Sequence, residues 1–318
     1  MNRRTFLISS AALAANRRLL AQTPMPMETL GKTGMKVSKF CLGGYHMAVK
    51  GEETAIKIIH RALDLGVNFL DSAWLYHKGL SDEIYGKALT PAMRKKVLLM
   101  GKAEKRSRDE AMSQLEDTLR RMKTDYLDLW QCHQVSEMSE VEQILGPNGA
   151  LEAFVKAKQQ GKVRHIGFTG HSDPAVHQRL LDAFDGWETI QHPVNLIDPH
   201  YLSFIHSVMP NARKKGLGLI AMKSNAMGSI TRNSVAAIAD CLRFTWSQKP
   251  HTLVSGVETI EQLEANVLAC KTFKPMTPAE ITSLLERTRK GEFGSKIERY
   301  KRPEKSARGV PHNDGEAA

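Results

Sequence analysis

VLLMGKAEKRSRDEAMSQLEDTLRRMKTDYLDLWQCH, residues 97–133, carries a strand, a helix and a second strand in succession. VLLMGK (97–102) and YLDLWQCH (126–133) are short apolar runs of strand length, and residues 108–122 between them read as a charged amphipathic helix. The same rhythm extends both ways. Upstream lie KFCLGG (39–44), a helix over 53–66 with Ile56, Ile59 and Leu63 at helical spacing and a closing glycine, the strand NFLDS (68–72), and a short helix over 81–89. Downstream, helices near 149–161, 173–184, 203–215, 233–248 and 259–272 alternate with VRHIGFTG (163–170), TIQHPVN (189–195), GLGLIAMK (216–223) and TLVSGV (252–257).

Eight strand-then-helix units with short connections imply a parallel sheet. Eight in about 250 residues fit a closed (β/α)8 TIM barrel of the α/β class better than an open sheet. No G-x-G-x-x-G follows the first strand, which argues against a Rossmann fold. METLGKTGMKVSK (27–39) suits an N-terminal β-hairpin, and 277–290 reads as an extra C-terminal helix. The expected organisation is an extension over 1–25, one barrel domain over 27–290, and a tail over 291–318.

The chain has 318 residues, 42% hydrophobic and 25% charged, which excludes a mostly disordered protein. No apolar run is long enough for a membrane-spanning helix, so stable membrane insertion is not expected. Four dispersed cysteines (Cys41, Cys132, Cys241, Cys270) argue against a disulfide framework or a Cys-based metal site, and no metal is expected. The net charge of +11 is spread over the chain, with local clusters at Arg3, Arg4, Arg17 and Arg18 and at Arg299, Lys301, Arg302, Lys305 and Arg308. Without an aromatic-interleaved basic stripe this reads as a solvated surface and no nucleic-acid partner.

MNRRTFLISSAALAA opens the chain with paired Arg3 and Arg4 followed by an apolar stretch, the layout of a twin-arginine-type export signal. It implies the twin-arginine machinery as a partner and a periplasmic or exported location; a non-targeting extension would leave the protein cytoplasmic.

A barrel of this kind gathers its active site at the C-terminal ends of its strands. Asp71, Lys102 and His133 end three consecutive strands, and Tyr76 lies in the loop after Asp71. Each has an ordinary structural explanation alone, yet four ionisable groups at one mouth make a coherent set. Reduction of a carbonyl by hydride transfer creates an alkoxide that needs a proton donor. A lysine cation about 4 Å from a phenol, at an effective dielectric of about 20, contributes roughly 4 kcal/mol, so Lys102 is expected to lower the pKa of Tyr76. Asp71 would keep Lys102 charged, and His133 would donate a hydrogen bond that places the substrate carbonyl. Trp130, on the other side of its strand, reads as packing.

NFLDSAWLY, SDEIYGKAL, VLLMGK and YLDLWQCH together resemble the aldo-keto reductases, over roughly residues 27–290. The resemblance implies a (β/α)8 barrel with a base hairpin, and an Asp71/Tyr76/Lys102/His133 tetrad with Tyr76 as general acid/base. It also implies NADP(H), favoured over NAD(H), a small-molecule carbonyl or alcohol substrate, and a monomer. Gln191 and Asn195 resemble the family's strand-6 pattern, with Gln191 on the nicotinamide carboxamide. Thr169 and Gly170 stand where a Ser-Asn pair is common, and Met222 stands in place of a stacking aromatic ring. VSGVETIEQLEANVLA resembles the adenosine-phosphate segment, where Gly256, Val257 and Thr259 form a turn at a helix start suited to an anion. There Glu264 and Asn266 match the adenine side, and Gln262 replaces an arginine, leaving Lys223 as the substitute cation. Tyr45, His46, Trp74 and Gln134 are the candidate substrate contacts.

The leading expectation is an NAD(P)-dependent oxidoreductase acting on C=O and CH–OH. A low-turnover cofactor-binding regulatory protein on the same barrel, as the family's potassium-channel β-subunits are, is the alternative. A lyase using Lys102 as a Schiff-base nucleophile needs a neutral lysine, which Asp71 opposes.

Overall fold

The structure is a computed structural model and describes residues 16, 18–289 and 294–301. The paired arginines of the expected export signal and tail residues 302–318 lie outside these described residues. Eight parallel strands close into a barrel: β3 (Phe40–Gly43), β4 (Phe69–Asp71), β5 (Leu98–Ala103), β6 (Leu127–Cys132), β7 (Val163–Thr169), β8 (Thr189–Pro193), β9 (Gly218–Met222) and β10 (Thr252–Gly256), with β10 pairing back onto β3. The expected (β/α)8 TIM barrel is therefore the observed fold. Ahead of it, β1 (Met27–Thr29) and β2 (Lys36–Ser38) form an antiparallel hairpin with Met27 opposite Ser38.

The helices follow the apolar spacing. The Arg108–Met122 helix has Asp109 and Glu110 in its first turn and Arg120 and Arg121 in its last, matching the helix dipole. Its buried face, Ala111, Leu115, Leu119 and Met122, packs on the barrel, and Lys123 ends it in the left-handed region. Thr259 caps the Ile260–Lys271 helix by accepting from the Gln262 N–H. Trp130 does serve as packing: its ring stacks on Phe154 with centroids 3.9 Å apart. Among the described residues no helix is long and apolar enough to cross a membrane.

Two helices are shorter than the sequence pattern suggests. The one expected near 203–215 is Val208–Lys214, because Asp198 takes the preceding loop for itself, accepting from Ser203 Oγ and from the Phe204 and Ile205 N–H groups. The one expected over 233–248 begins at Ile238, since Ser234 sits at φ 54° and breaks the run. A helix at Met138–Leu145, absent from the sequence reading, fills the connection after β6.

Inside the barrel the side chains sort by height. Cys41, Phe69, Met100, Leu129 and Ile220 fill its lower half, and Leu30 and Val37 of the hairpin segment close the bottom. Leu30 is fully buried, and a Cβ on Gly218 would come within 2.6 Å of it, so the glycine is what lets the plug seat. Shortening this plug leaves a cavity that the closed barrel has little freedom to fill. Leu30→Ala should cost about 2–5 kcal/mol of unfolding free energy in denaturant titrations followed by tryptophan fluorescence. A loss below about 1 kcal/mol would mean that the hairpin does not seal the core.

Candidate active site

Strand alternation brings the catalytic candidates together. Phe69, Met100 and Leu129 point into the lower barrel, so Asp71 and Lys102, two residues further along, point into its upper mouth, as does His133, four residues beyond Leu129. Lys102 is 1% exposed and uses all three ammonium N–H groups. One goes to Asp71 Oδ1 in a direct ion pair, one to the Ser72 carbonyl at 2.8 Å, and one to Tyr76 Oη at 3.3 Å. Tyr76 reaches this position through a left-handed turn: His77, Lys78 and Gly79 have φ of 50°, 58° and 94°. The first two are non-glycine residues in that region, strain of the kind that accumulates where a side chain must be aimed. The Tyr76 and His133 rings meet edge to face with centroids 5.7 Å apart.

Burial, more than neighbouring charge, sets the direction for Tyr76, Asp71 and His133. Tyr76 is pushed up to about 12: desolvation of the phenolate comes first, Asp71 adds to it, and Lys102 opposes both. The expected net lowering by Lys102 therefore does not occur, because Asp71 cancels much of the cation's field and the phenol sits out of water. Asp71 is raised by burial against the pull of Lys102. Burial draws Lys102 down, but Asp71 and Tyr76 more than offset it and the net shift is upward. That keeps the lysine an ammonium and removes the neutral amine a Schiff base needs. His133 lies well below its ordinary value through burial and the cations Lys102, Arg106 and Lys223.

The nicotinamide candidates stand along the neighbouring strand ends. Thr169 and Gln191 are 1% and 2% exposed and pair across β7 and β8, and Met222 Sδ lies 3.6 Å from Gln191 Nε2. Gln191 Oε1 is buried with no hydrogen-bond partner among the described residues, an acceptor suited to a carboxamide N–H. Gly170 offers only backbone. A Cβ there would meet the Val135 carbonyl at 2.4 Å and His177 Nε2 at 2.5 Å, and its N–H is given to the Gln191 carbonyl.

The candidate adenosine residues already have partners within the protein. Gly256 and the Val257–Thr259 turn do lead into a helix start, although Val257 buries its side chain. Glu258 lies across that turn, 3.9 Å from His46 Nδ1 and 3.8 Å from Lys50 Nζ. Gln262 accepts from the Glu258 N–H, Glu264 is paired with Arg61 at 2.7 Å, and Asn266 donates to Ser255 Oγ. Lys223 stands 4.9 Å over the Tyr300 ring.

Of the substrate candidates, Tyr45 joins the cluster, its ring edge-to-face with Tyr76 and stacked on His77. His46 packs over Gly256, where a Cβ would lie 2.1 Å from its ring. Gln134 Nε2 is 3.4 Å from His171 Nε2. Trp74 is committed elsewhere: its indole N–H donates to Asp117 on the Arg108–Met122 helix at 2.9 Å.

Several groups escaped the sequence reading. Glu104 follows directly on the end of β5, two residues after Lys102, and its Oε1 lies 3.0 Å from His133 Nδ1. Lys301, read as part of a solvated basic cluster, is instead fully buried, paired with Asp198 at 2.8 Å and Glu298 at 2.6 Å. Asn195 belongs to that same network, donating to Glu298 at 2.7 Å and to Tyr300 at 3.0 Å. Glu298, Tyr300 and Lys301 thus pack against the segments that follow β8 and β9.

Fold and site define a barrel protein whose mouth holds a carboxylate, a phenol, an ammonium and an imidazole in one cluster. Residues 39–239 match the model of the Aldo/keto reductase family, and the chain belongs to that family. It is 26% identical over 317 residues to the L-galactose dehydrogenase of Arabidopsis thaliana, covering 83% of this chain and 95% of the plant protein. In fold it is similar to aldo-keto reductase AKR11C1 of Bacillus halodurans in its holo form, with TM-score 0.70, 23% identity and 83% and 96% of the two chains covered. An aldo-keto reductase of Klebsiella pneumoniae in complex with NADPH has TM-score 0.67 at 20% identity, with 82% and 94% covered.

One buried carboxyl behind the site is testable directly. Asp82 accepts from Ser72 Oγ at 2.5 Å and Thr118 Oγ1 at 2.9 Å, and burial pushes it up to about 7. A value above that of the unfolded chain, about 4, means that the folded protein binds the proton more tightly. The resulting stability is present below about pH 4 and is lost as pH rises through about 7. The stability of the wild type minus that of Asp82→Asn should fall across that window and level off above it. A pH-independent difference would exclude the assignment.

Proposed function

We propose that this aldo-keto reductase interconverts a carbonyl and an alcohol by hydride transfer with a nicotinamide dinucleotide, with Tyr76 as the general acid/base. The observation that carries the reading is Tyr76 Oη held 3.3 Å from the buried Lys102 ammonium at the mouth. When bound, the cofactor supplies or takes the hydride; the remaining task, moving a proton at the reacting oxygen, falls to this chain. In reduction the Tyr76 hydroxyl, protonated at neutral pH, donates to the oxygen as negative charge develops there. Lys102 stabilises the phenolate left behind, and Asp71 holds Lys102 charged and in place. In oxidation the phenolate must form first, so that direction should accelerate with pH across the alkaline range.

Thr169, Gln191 and Met222 would hold the nicotinamide, with the unpaired Gln191 oxygen as its main polar contact. Gly256, Val257, Thr259, Gln262, Glu264 and Asn266 would hold the adenosine side. NADP(H) over NAD(H) is the preference we propose from the family pattern, supported by the NADPH-bound Klebsiella protein. Glu258 and Glu261 at the helix start favour the opposite preference, since they oppose a 2′-phosphate. Quenching of tryptophan fluorescence by NADPH and by NADH at micromolar concentration separates the two. The relative that acts on L-galactose supports a polyhydroxylated substrate. The paired arginines support export by the twin-arginine route, which N-terminal sequencing of the mature protein would test.

Tyr76→Phe removes the proton and leaves the ring. Turnover should drop by about 10²–10⁴ in both directions while cofactor quenching persists. Unchanged turnover would remove Tyr76 from the mechanism and favour a binding role for the barrel.

A further inference from the structure

His133 has one nitrogen at Glu104 and the other turned away from it. Nδ1 lies 3.0 Å from Glu104 Oε1, while Nε2 makes no hydrogen bond among the described residues. Both partners are fixed from behind. Gln114 Oε1 accepts from the Glu104 and Lys105 N–H groups at 2.8 and 3.1 Å, holding the backbone under the carboxylate. The His133 N–H donates to the Ala103 carbonyl at 2.8 Å, and the His133 carbonyl accepts from Arg106 Nη2 at 2.8 Å. Arg106 is itself held by Glu140 at 2.7 Å.

A carboxylate only accepts, so the proton of a neutral imidazole facing it must sit on Nδ1. Nε2 is then left as a lone pair. A second proton on the ring is disfavoured by burial and by Lys102, Arg106 and Lys223, which approach from β5, the loop after it, and the end of β9. Protonation of Glu104, which would release Nδ1, is favoured by its burial and opposed by Arg106, Lys102 and Lys105. Tyr76 also faces the pair: its ring meets His133 edge to face, and Glu104 is among the groups that raise its hydroxyl.

We propose that Glu104 is a positioning residue that holds His133 in its Nδ1–H form, so that Nε2 accepts a hydrogen bond from a hydroxyl on the carbon next to the reacting one. This rests on the hydride-transfer reading above and gives it a substrate class: α-hydroxy carbonyls in reduction and vicinal diols in oxidation. A carbonyl oxygen has no proton to give to Nε2 and meets its lone pair unfavourably. The two polar contacts therefore divide, with the Tyr76 hydroxyl donating to the reacting oxygen and His133 receiving the neighbouring O–H. This replaces the donor role expected of His133 from the sequence.

The test uses Glu104→Leu, which takes the acceptor away from Nδ1 at similar size, so the imidazole returns to the Nε2–H tautomer that is intrinsically favoured. Two readouts are needed. First, nitrogen-15 NMR of histidine-labelled protein without cofactor should show His133 as Nδ1–H in the wild type and Nε2–H in the variant. Second, hydroxyacetone and butanone differ only by hydroxyl for methyl beside the reacting carbon. Wild type should favour hydroxyacetone in KM by about two- to tenfold, the range of one neutral hydrogen bond, and the variant should lose or reverse that preference with kcat changed less. An Nε2–H form in the wild type, or an unchanged KM ratio in the variant, overturns the proposal. If wild type turns over neither ketone with NADPH or NADH, the hydride-transfer reading fails, and the NMR result still decides the role of Glu104.

Discussion

A lysine ammonium withdrawn from water is the constraint around which the mouth is organised. Removing a charge from solvent costs several kcal/mol, which only a close counter-ion and fully used N–H groups can offset. Lys102 meets both conditions with Asp71, the Ser72 carbonyl and the Tyr76 hydroxyl. The first two partners come from β4 and the residue after it, adjacent to β5 in the sheet. Pairing of these strands therefore creates the ion pair, and the third N–H then fixes where the phenol must be. Loss of either charge would strand the other in the barrel. The left-handed turn after Tyr76 is tolerable because this anchor over-determines the tyrosine's position.

Charge and burial compete throughout the mouth, and burial generally wins. A cation 3.3 Å from a phenol would by simple Coulomb reasoning make it acidic, yet Tyr76 becomes a weaker acid than in water. The lysine's influence is spent largely on its own carboxylate. What the cation does provide is a fixed site that favours the phenolate once the proton has left. Preorganised charge of this sort lowers the cost of a transient state without altering the resting one. His133 follows the same logic, kept neutral by burial and by three cations.

Strand-helix alternation made the barrel legible, because period 2 and period 3.6 patterns succeed one another with little interruption. The clustering of Asp71, Tyr76, Lys102 and His133 was legible for a related reason: ionisable residues closing apolar strands have few explanations other than a shared mouth. Less visible were contacts whose partners are remote in sequence. Lys301 looks like any tail lysine until Asp198 and Glu298 are seen around it. Trp74 sits beside the tyrosine in sequence but is claimed by Asp117, forty-three residues away. Glu104 left a local signal, two residues past Lys102 at the end of β5, but its meaning depends on where His133 directs Nδ1. The helix expected near 203–215 was shortened by a side chain outside it, which no pattern within the segment could reveal.

The buried Lys301 network also orders events during synthesis. Asp198 and Asn195 sit at the end of β8, more than a hundred residues before the lysine and the Glu298–Tyr300 pair that satisfy them. A nascent chain that has closed its eight strands still carries an unneutralised aspartate just beyond β8 until Lys301 has left the ribosome. The barrel can be wound early, but its rim closes only when Lys301, 45 residues beyond the last strand, has been added.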